Sequence, residues 1–291
     1  MRICAIDVGT NTVNSLVADV ESGGLVVVAD EEQFARLGQG VDRAGRLAED
    51  AMDRVVDRLA RAKATAENLG AERVVIAATS ASRDASNVDV LQGRVWRELG
   101  LDYRVISGAE EARLSFLGAL ALLPDVPRAV VFDIGGGSTE IVAGERGAPP
   151  HFAQSLDIGT VRLTERHGAV PPVGVDVQAA VRDDIARALA AIPPEVWAHG
   201  PLVGTGSTAR VVSRMGPGAL RLGAVRVVRQ KLAALTPQTI TALAPEVMRG
   251  RADVMPSAML IVEGVMEAAG TETFHATRGG LRHGLALETA R

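Results

Sequence analysis

Two stretches of the sequence place an aspartate at the mouth of a tight, glycine-bearing turn. In the first, the apolar run Ile3-Cys4-Ala5-Ile6 leads into Asp7-Val8-Gly9-Thr10-Asn11-Thr12. In the second, Ala129-Val130-Val131-Phe132 leads into Asp133-Ile134-Gly135-Gly136-Gly137-Ser138-Thr139-Glu140. An apolar stretch follows each turn, so both read as strand, turn, strand. Gly, Ser, Thr and Asn at a hairpin aim backbone N–H groups and hydroxyls at an anion. The aspartates, Asp7 and Asp133, can hold a divalent cation directly or through water. Two such turns facing each other across a cleft would cradle phosphates from both sides.

Other segments fit phosphate chemistry less specifically. Thr79-Ser80-Ala81-Ser82-Arg83 follows a buried strand and precedes a helix, where α/β sheets present ligand contacts. Arg83 there either reaches a phosphate or forms a salt bridge at the helix start. Ser107-Gly108-Ala109-Glu110-Glu111-Ala112 opens a helix, and its acids serve either the helix dipole or as a general base on water. The run from Ser155 to Glu165 is a strand end and helix entry with polar capping groups. Gly204-Thr205-Gly206-Ser207-Thr208 is a third Gly/Ser/Thr turn, placed so that a helix N-terminus could take a phosphate. The histidines at 151, 167, 199, 275 and 283 show no metal-ligand spacing.

These segments must be positioned by a sizeable α/β scaffold. The chain has 291 residues, 47% hydrophobic and 23% charged, which suits two domains with real cores. Only 3% are aromatic, so the cores are built from Val, Leu, Ala and Ile. A single cysteine, Cys4, excludes an internal disulfide and a multi-Cys metal site. No signal-peptide pattern and no apolar run of about 18 residues is present, so a soluble cytoplasmic protein without membrane contact is expected. A net charge of −4 argues against a nucleic-acid binder. The exception is a window without Asp or Glu, holding Arg210, Arg214, Arg221, Arg226, Arg229 and Lys231, which is either a polyanion track or a solvated basic face.

Strand-like runs fall at 2–8, 14–20, 25–30, 74–78 and 103–106, with helical patterns at 48–69, 84–99 and 109–123. Pro124-Asp125-Val126-Pro127 marks a boundary. The scheme then repeats, with strands at 129–134, 138–144, 151–156 and 202–203. Helices follow near 159, 176–191, 206–215, 237–249 and 255–269. The expected domains are 1–124 and 125–291, with a last helix over about 280–291 packing back on the first.

The duplicated turns resemble those of the actin-like, Hsp70 and sugar kinase ATPase superfamily. The finer pattern is similar to the exopolyphosphatase/guanosine pentaphosphate phosphohydrolase family. It is carried by Asp7 to Thr12, Ala78 to Arg83 with Asn87, Ile106 to Arg113, Asp133 to Glu140, Gly204 to Thr208, and Gly279-Gly280-Leu281-Arg282-His283-Gly284, in the family's order. The resemblance implies two actin-like (ribonuclease H-like) α/β domains with mixed sheets flanked by helices and a site in the interdomain cleft. It implies Glu111 as catalytic base, Arg83 on phosphate, and Asp133 and Glu140 serving magnesium, with manganese as a substitute. It implies phosphate binding by Gly9, Thr10, Asn11 and Thr12, by Gly135, Gly136, Gly137, Ser138 and Thr139, and by Gly206 and Ser207. Two positions depart from the family pattern. Asn14 stands where Arg or His is frequent, and Ser207 where a second Gly is usual. The expected activity is Mg-dependent hydrolysis of the terminal phosphoanhydride of inorganic polyphosphate, with guanosine pentaphosphate as the alternative substrate. A small-metabolite kinase is disfavoured by Glu111, because a kinase must exclude attacking water. A non-catalytic sensor would leave the acids without a role. A homodimer is compatible with these features.

Overall fold

The computed structural model describes residues 1–21, 24–214 and 220–291. The chain divides into two units, Met1–Asp125 with Gly279–Arg291, and Val126–Arg278. Met215, the last residue of the helix expected over 206–215, lies outside the described residues, as do positions 216–219 of the acid-free window.

Unit 1 opens with an antiparallel meander of β1 (Arg2–Val8), β2 (Thr12–Glu21) and β3 (Gly24–Phe34). Then follow α1 (Val41–Ala44), α2 (Glu49–Asn68), β4 (Arg73–Ala78), α3 (Ser80–Asp84), α4 (Val88–Leu99), β5 (Tyr103–Val105) and α5 (Gly108–Ala121). The sheet order is β3-β2-β1-β4-β5, with β4 parallel to β1 and β5 parallel to β4. β1 is the central strand, and Ile3, Cys4, Ala5 and Ile6 are fully buried, as a strand covered on both faces requires. Burial, with some help from the charge of Glu31, pushes the Cys4 thiol up to about 12. The helix expected over 84–99 starts only at Val88, as α4, because the separate short helix α3 ends at Asp84 and the chain is extended at Ala85.

Unit 2 repeats the scheme. β6 (Arg128–Ile134), β7 (Thr139–Glu145) and β8 (Phe152–Leu156) form a second meander. α6 (Thr160–His167), α7 (Val175–Leu189), α8 (Pro194–Trp197), β9 (Leu202–Thr205) and α9 (Gly206–Arg214) follow. Beyond them come β10 (Leu220–Arg221), α10 (Leu222–Ala233), α11 (Pro237–Leu243), α12 (Pro245–Met248), α13 (Met255–Ala268) and β11 (Thr273–Ala276). The order β10-β11-β9-β6-β7-β8, with β9 parallel to β6, repeats the actin-like (ribonuclease H-like) topology of unit 1. The core is mainly aliphatic around a nearly buried α13, with Phe132 and Phe274 edge to face at 5.2 Å.

The chain then returns to unit 1 as α14 (Leu281–Thr289). α14 lies against α5 at glycine-only separation. A Cβ on Gly284 would stand 2.0 Å from Leu114 O, and one on Gly118 would stand 2.0 Å from Gly280 O. Arg282 pairs with Asp30, and Arg113 with Glu288 at 2.5 Å. Among the described residues, no helix is long and apolar enough to cross a membrane.

Candidate active site

Unit 1 gathers its polar segments where its parallel strands end. The chain leaves β1 into the first turn, β4 into Thr79–Arg83 and β5 into Ser107–Glu111. Val8 is the register partner of Ala78, which in turn is that of Val105. Backbone bonds tie these exits together: Gly9 N–H to Thr12 O at 2.9 Å, Thr79 N–H to Val8 O at 3.1 Å and Ile106 N–H to Ala78 O at 3.0 Å. Ser82 Oγ lies 2.8 Å from the Tyr103 hydroxyl. Burial raises that phenol well above its usual range; the Ser82 bond opposes the shift and the charge of Asp7 adds to it.

The structure separates the two adjacent acids. Ser107 caps α5, its Oγ accepting from Glu110 N–H at 3.1 Å. Glu110 turns outward and accepts from Arg104 Nη1 at 2.8 Å. Glu111 is buried, and its Oε2 accepts from Arg83 Nη1 at 2.6 Å, a short charge-assisted bond. The same Nη1 donates to Ile106 O at 3.2 Å. Sequence reasoning gave Arg83 and Glu111 separate roles, whereas here they form one unit. Asn87, also in the matched pattern, is structural. Its side chain accepts from Leu47 N–H at 2.8 Å and donates to Leu47 O at 3.1 Å.

In unit 2, Gly135 N–H donates to Ser138 O at 2.9 Å, the same closure as Gly9 to Thr12. Asp133 faces Glu140 across β6 and β7, as Asp7 faces Asn14 across β1 and β2. The pairs differ in chemistry. Asn14 Nδ2 donates to Asp7 Oδ2 at 3.2 Å and to Thr12 Oγ1 at 3.0 Å, so this departure from the family pattern supports the first aspartate. Glu140 is 1% exposed, and its Oε1 accepts from Ser155 Oγ at 2.7 Å. β9 runs beside β6 with Thr205 opposite Asp133, which brings the third turn to the same end of the sheet. Gly206 has φ +77°, and a Cβ there would lie 2.3 Å from Asp133 Oδ1, so both backbone conformation and space demand glycine. Ser207 is half-buried in the first turn of α9, and Thr208 Oγ1 donates to Ile134 O at 3.4 Å.

Asp133 and Glu140 are hard carboxylates on one face of neighbouring strands. That donor set fits magnesium, which binds through one or two carboxylates and takes its remaining ligands from water and phosphate. Asp7 has the matching position in unit 1, with an amide as its neighbour. Among the described residues, no group of three or more His, Cys, Asp and Glu side chains could hold a metal.

The basic window is corrected by the fold. Arg226 and Arg229 lie on α10, a helix the sequence reading did not anticipate. Arg229 is buried, with Nε 2.6 Å from Glu263 Oε2 and Nη1 donating to Gln178 Oε1 at 2.7 Å. Arg226 contacts Glu263 at 3.1 Å and Glu267 at 2.6 Å. The acids missing from the window are supplied by α13, so Arg229 is closed to a polyanion and the exposed Arg226 is already paired with two carboxylates. Arg210 is half-buried on α9, and Arg214 and Lys231 are exposed on α9 and α10. The spacing of Leu222, Val225, Arg229 and Leu232, all buried, is the helical signal that identifies α10.

The profile of the Ppx/GppA phosphatase family matches residues 16–291. Exopolyphosphatase 2 of Mycobacterium tuberculosis is 37% identical over 318 residues, covering 99% of this chain and 98% of that one. The crystal structure of an exopolyphosphatase from Cytophaga hutchinsonii superposes with a TM-score of 0.90 at 28% identity, covering 99% of this chain and 97% of the other. The Aquifex aeolicus member of the Ppx/GppA family gives a TM-score of 0.79 at 26% identity, over 100% and 97% of the two chains. With matching turns in both units, a buried Glu111 held by Arg83 and this full-length similarity, the chain belongs to the Ppx/GppA phosphatase family.

Proposed function

We propose that the protein is an exopolyphosphatase that cleaves the terminal phosphoanhydride of inorganic polyphosphate and releases orthophosphate. One observation carries this reading. The same anion-directed turn stands at the same register position in both units, and in unit 1 a buried carboxylate held by an arginine, Glu111 with Arg83, lies in the cluster of strand ends beside it. Two cradles suit a substrate that is phosphate along its length, and one base suits a single cleavage at its end. The relatives named as exopolyphosphatases support the same substrate class.

In this reading the backbone donors and hydroxyls of residues 9–12 and 135–139, with Gly206 and Ser207, hold the terminal phosphates. A Glu111 oxygen takes a proton from water as the water oxygen attacks the terminal phosphorus in line. The bridging P–O bond breaks, and its electron pair leaves with the shortened chain. Arg83 fixes the Glu111 carboxylate and adds positive charge beside the phosphates. Asp133 and Glu140, with Asp7, would hold magnesium or manganese, which when bound neutralises charge on the phosphate oxygens. Catalysis is then positioning plus electrostatic stabilisation. The cytoplasm is the proposed compartment, in keeping with a single buried thiol.

The test is orthophosphate release from polyphosphates of several lengths, guanosine pentaphosphate and ATP, with magnesium and after chelation. Release is expected from polyphosphate and should stop on chelation. Faster release from guanosine pentaphosphate than from every polyphosphate would replace the substrate, and activity that survives chelation would remove the metal's role.

A further inference from the structure

Apart from Ser155, which donates to Glu140, the run from Ser155 to Glu165 is absorbed by none of the roles above, yet it lies directly behind the second turn. Three amides at the start of α6 are spent on that turn's carbonyls: Thr160 N–H on Gly135 O at 3.0 Å, and Val161 and Arg162 N–H on Gly136 O at 2.8 and 3.0 Å. The third carbonyl, Gly137 O, accepts from the Arg162 side chain, Nε at 2.6 Å. Thr139 Oγ1 donates to Ile158 O at 2.6 Å. Gly159 fits beneath the turn so closely that a Cβ would stand 2.4 Å from Gly136 O and from Gly137 C. Every carbonyl of the Gly135–Gly137 run is therefore pulled to one side. The N–H groups of Gly136, Gly137 and Ser138 donate to no group among the described residues.

The first turn is built in the same way. Asn11 O accepts from Ala35 and Arg36 N–H at 3.1 and 2.9 Å, and Thr10 O accepts from Gly38 N–H at 2.8 Å. Gly38 is pressed against Thr10, with a Cβ position 2.1 Å from Thr10 Cγ2. In each unit the segment after the third strand holds the turn from behind. In unit 2 a side chain, that of Arg162, takes one of the places.

We propose that Arg162, seated by Gly159, is a positioning residue for the hydrolysis. It pins Gly137 O so that the peptide groups of the glycine run keep their N–H edges toward the phosphate. A run of three glycines has many other conformations available, and the Nε bond holds the last of its carbonyls from a replaceable side chain. This rests on the reading that the second turn binds phosphate.

The test compares Arg162→Met and Arg162→Lys with the wild type. Arg162→Met should lower kcat/KM for polyphosphate by about 10- to 100-fold, with KM raised and kcat reduced together. Its melting temperature should stay within about 4 °C of the wild type. Arg162→Lys, which keeps a donor, should recover part of the loss. Gly159→Ala should give the same kinetic signature by pushing the turn from behind. In protein labelled with ¹⁵N-glycine, orthophosphate should shift the Gly136 and Gly137 amide resonances of the wild type, and Arg162→Met should need at least tenfold more phosphate for the same shift. Wild-type kcat/KM in Arg162→Met overturns the proposal. So does a loss that follows a fall in melting temperature and is not relieved by lysine. If orthophosphate leaves the wild-type glycine resonances unmoved, the phosphate reading of the turn fails first and the proposal fails with it.

Discussion

Glu110 and Glu111 are neighbours with opposite surroundings. One sits in a solvent-facing pair with Arg104, the other is buried at 2.6 Å from Arg83. An exposed ion pair contributes little to stability, whereas a buried carboxylate held by an arginine has a fixed direction and weak competition from solvent. Glu111→Gln is therefore expected to cut turnover by roughly 10²- to 10⁴-fold, the range for loss of a general base, while Glu110→Gln stays close to wild type. Single-turnover and steady-state phosphate release separate the outcomes, and near-normal turnover in Glu111→Gln would remove it as the base. At this scale the local motifs were readable. An acid before a glycine hairpin is a pattern confined to a few residues, and both hairpins, with Asp7 and Asp133 at their mouths, stand where the sequence places them. The Arg83–Glu111 bond was not readable, because it depends on β4 and β5 lying side by side and bringing two helix starts together.

Among the elements, α10 and α13 show what charge patterning along a sequence misses. The window from Arg210 to Lys231 carries no acid, and as a one-dimensional pattern it suggests a surface for anions. In the fold, Arg226, Arg229 and Arg182 surround Glu263, which is buried and comes from α13. Partners more than thirty residues apart leave no trace in a local charge count, although the apolar spacing of α10 does. Arg229→Met should therefore destabilise the protein by about 3 kcal/mol, the cost of weakening a buried ion pair from one side. Thermal or denaturant unfolding gives the value. Activity on long and short polyphosphates should fall in equal proportion, through loss of folded protein. A selective loss of long substrate would restore the track.

For the molecule as a whole, the decisive feature is that unit 1 is discontinuous. Ile3, Ala5, Ala77, Ile106 and Leu114 share one core cluster with Leu281, Leu285 and Ala286. The six-residue motif from Gly279 to Gly284 thus clamps α5, the helix that carries Glu111, through backbone contacts at Gly118 and Gly284. Ending the chain at Arg278 should expose that cluster. The expected outcome is a broad, non-cooperative melt for unit 1 and loss of hydrolysis, with unit 2 still unfolding as a distinct transition. Circular dichroism and calorimetry of the truncated chain check this, and two intact transitions would show α14 to be dispensable. The last helix is legible in the sequence, because its apolar spacing is local. Its glycine-only separation from α5 is not, because such an approach involves two segments far apart in the chain.

That discontinuity also sets an order in time. A ribosome delivers residues 1–121 first, but the helix that closes over α5 follows only after the whole of unit 2 has been made. Unit 2 is contiguous and can complete its core while α5 still lacks its neighbour. The carboxylate assigned to take the proton from the attacking water is thus among the last parts of the enzyme to be fixed in place, and a growing chain holds its anion cradles before it can use them.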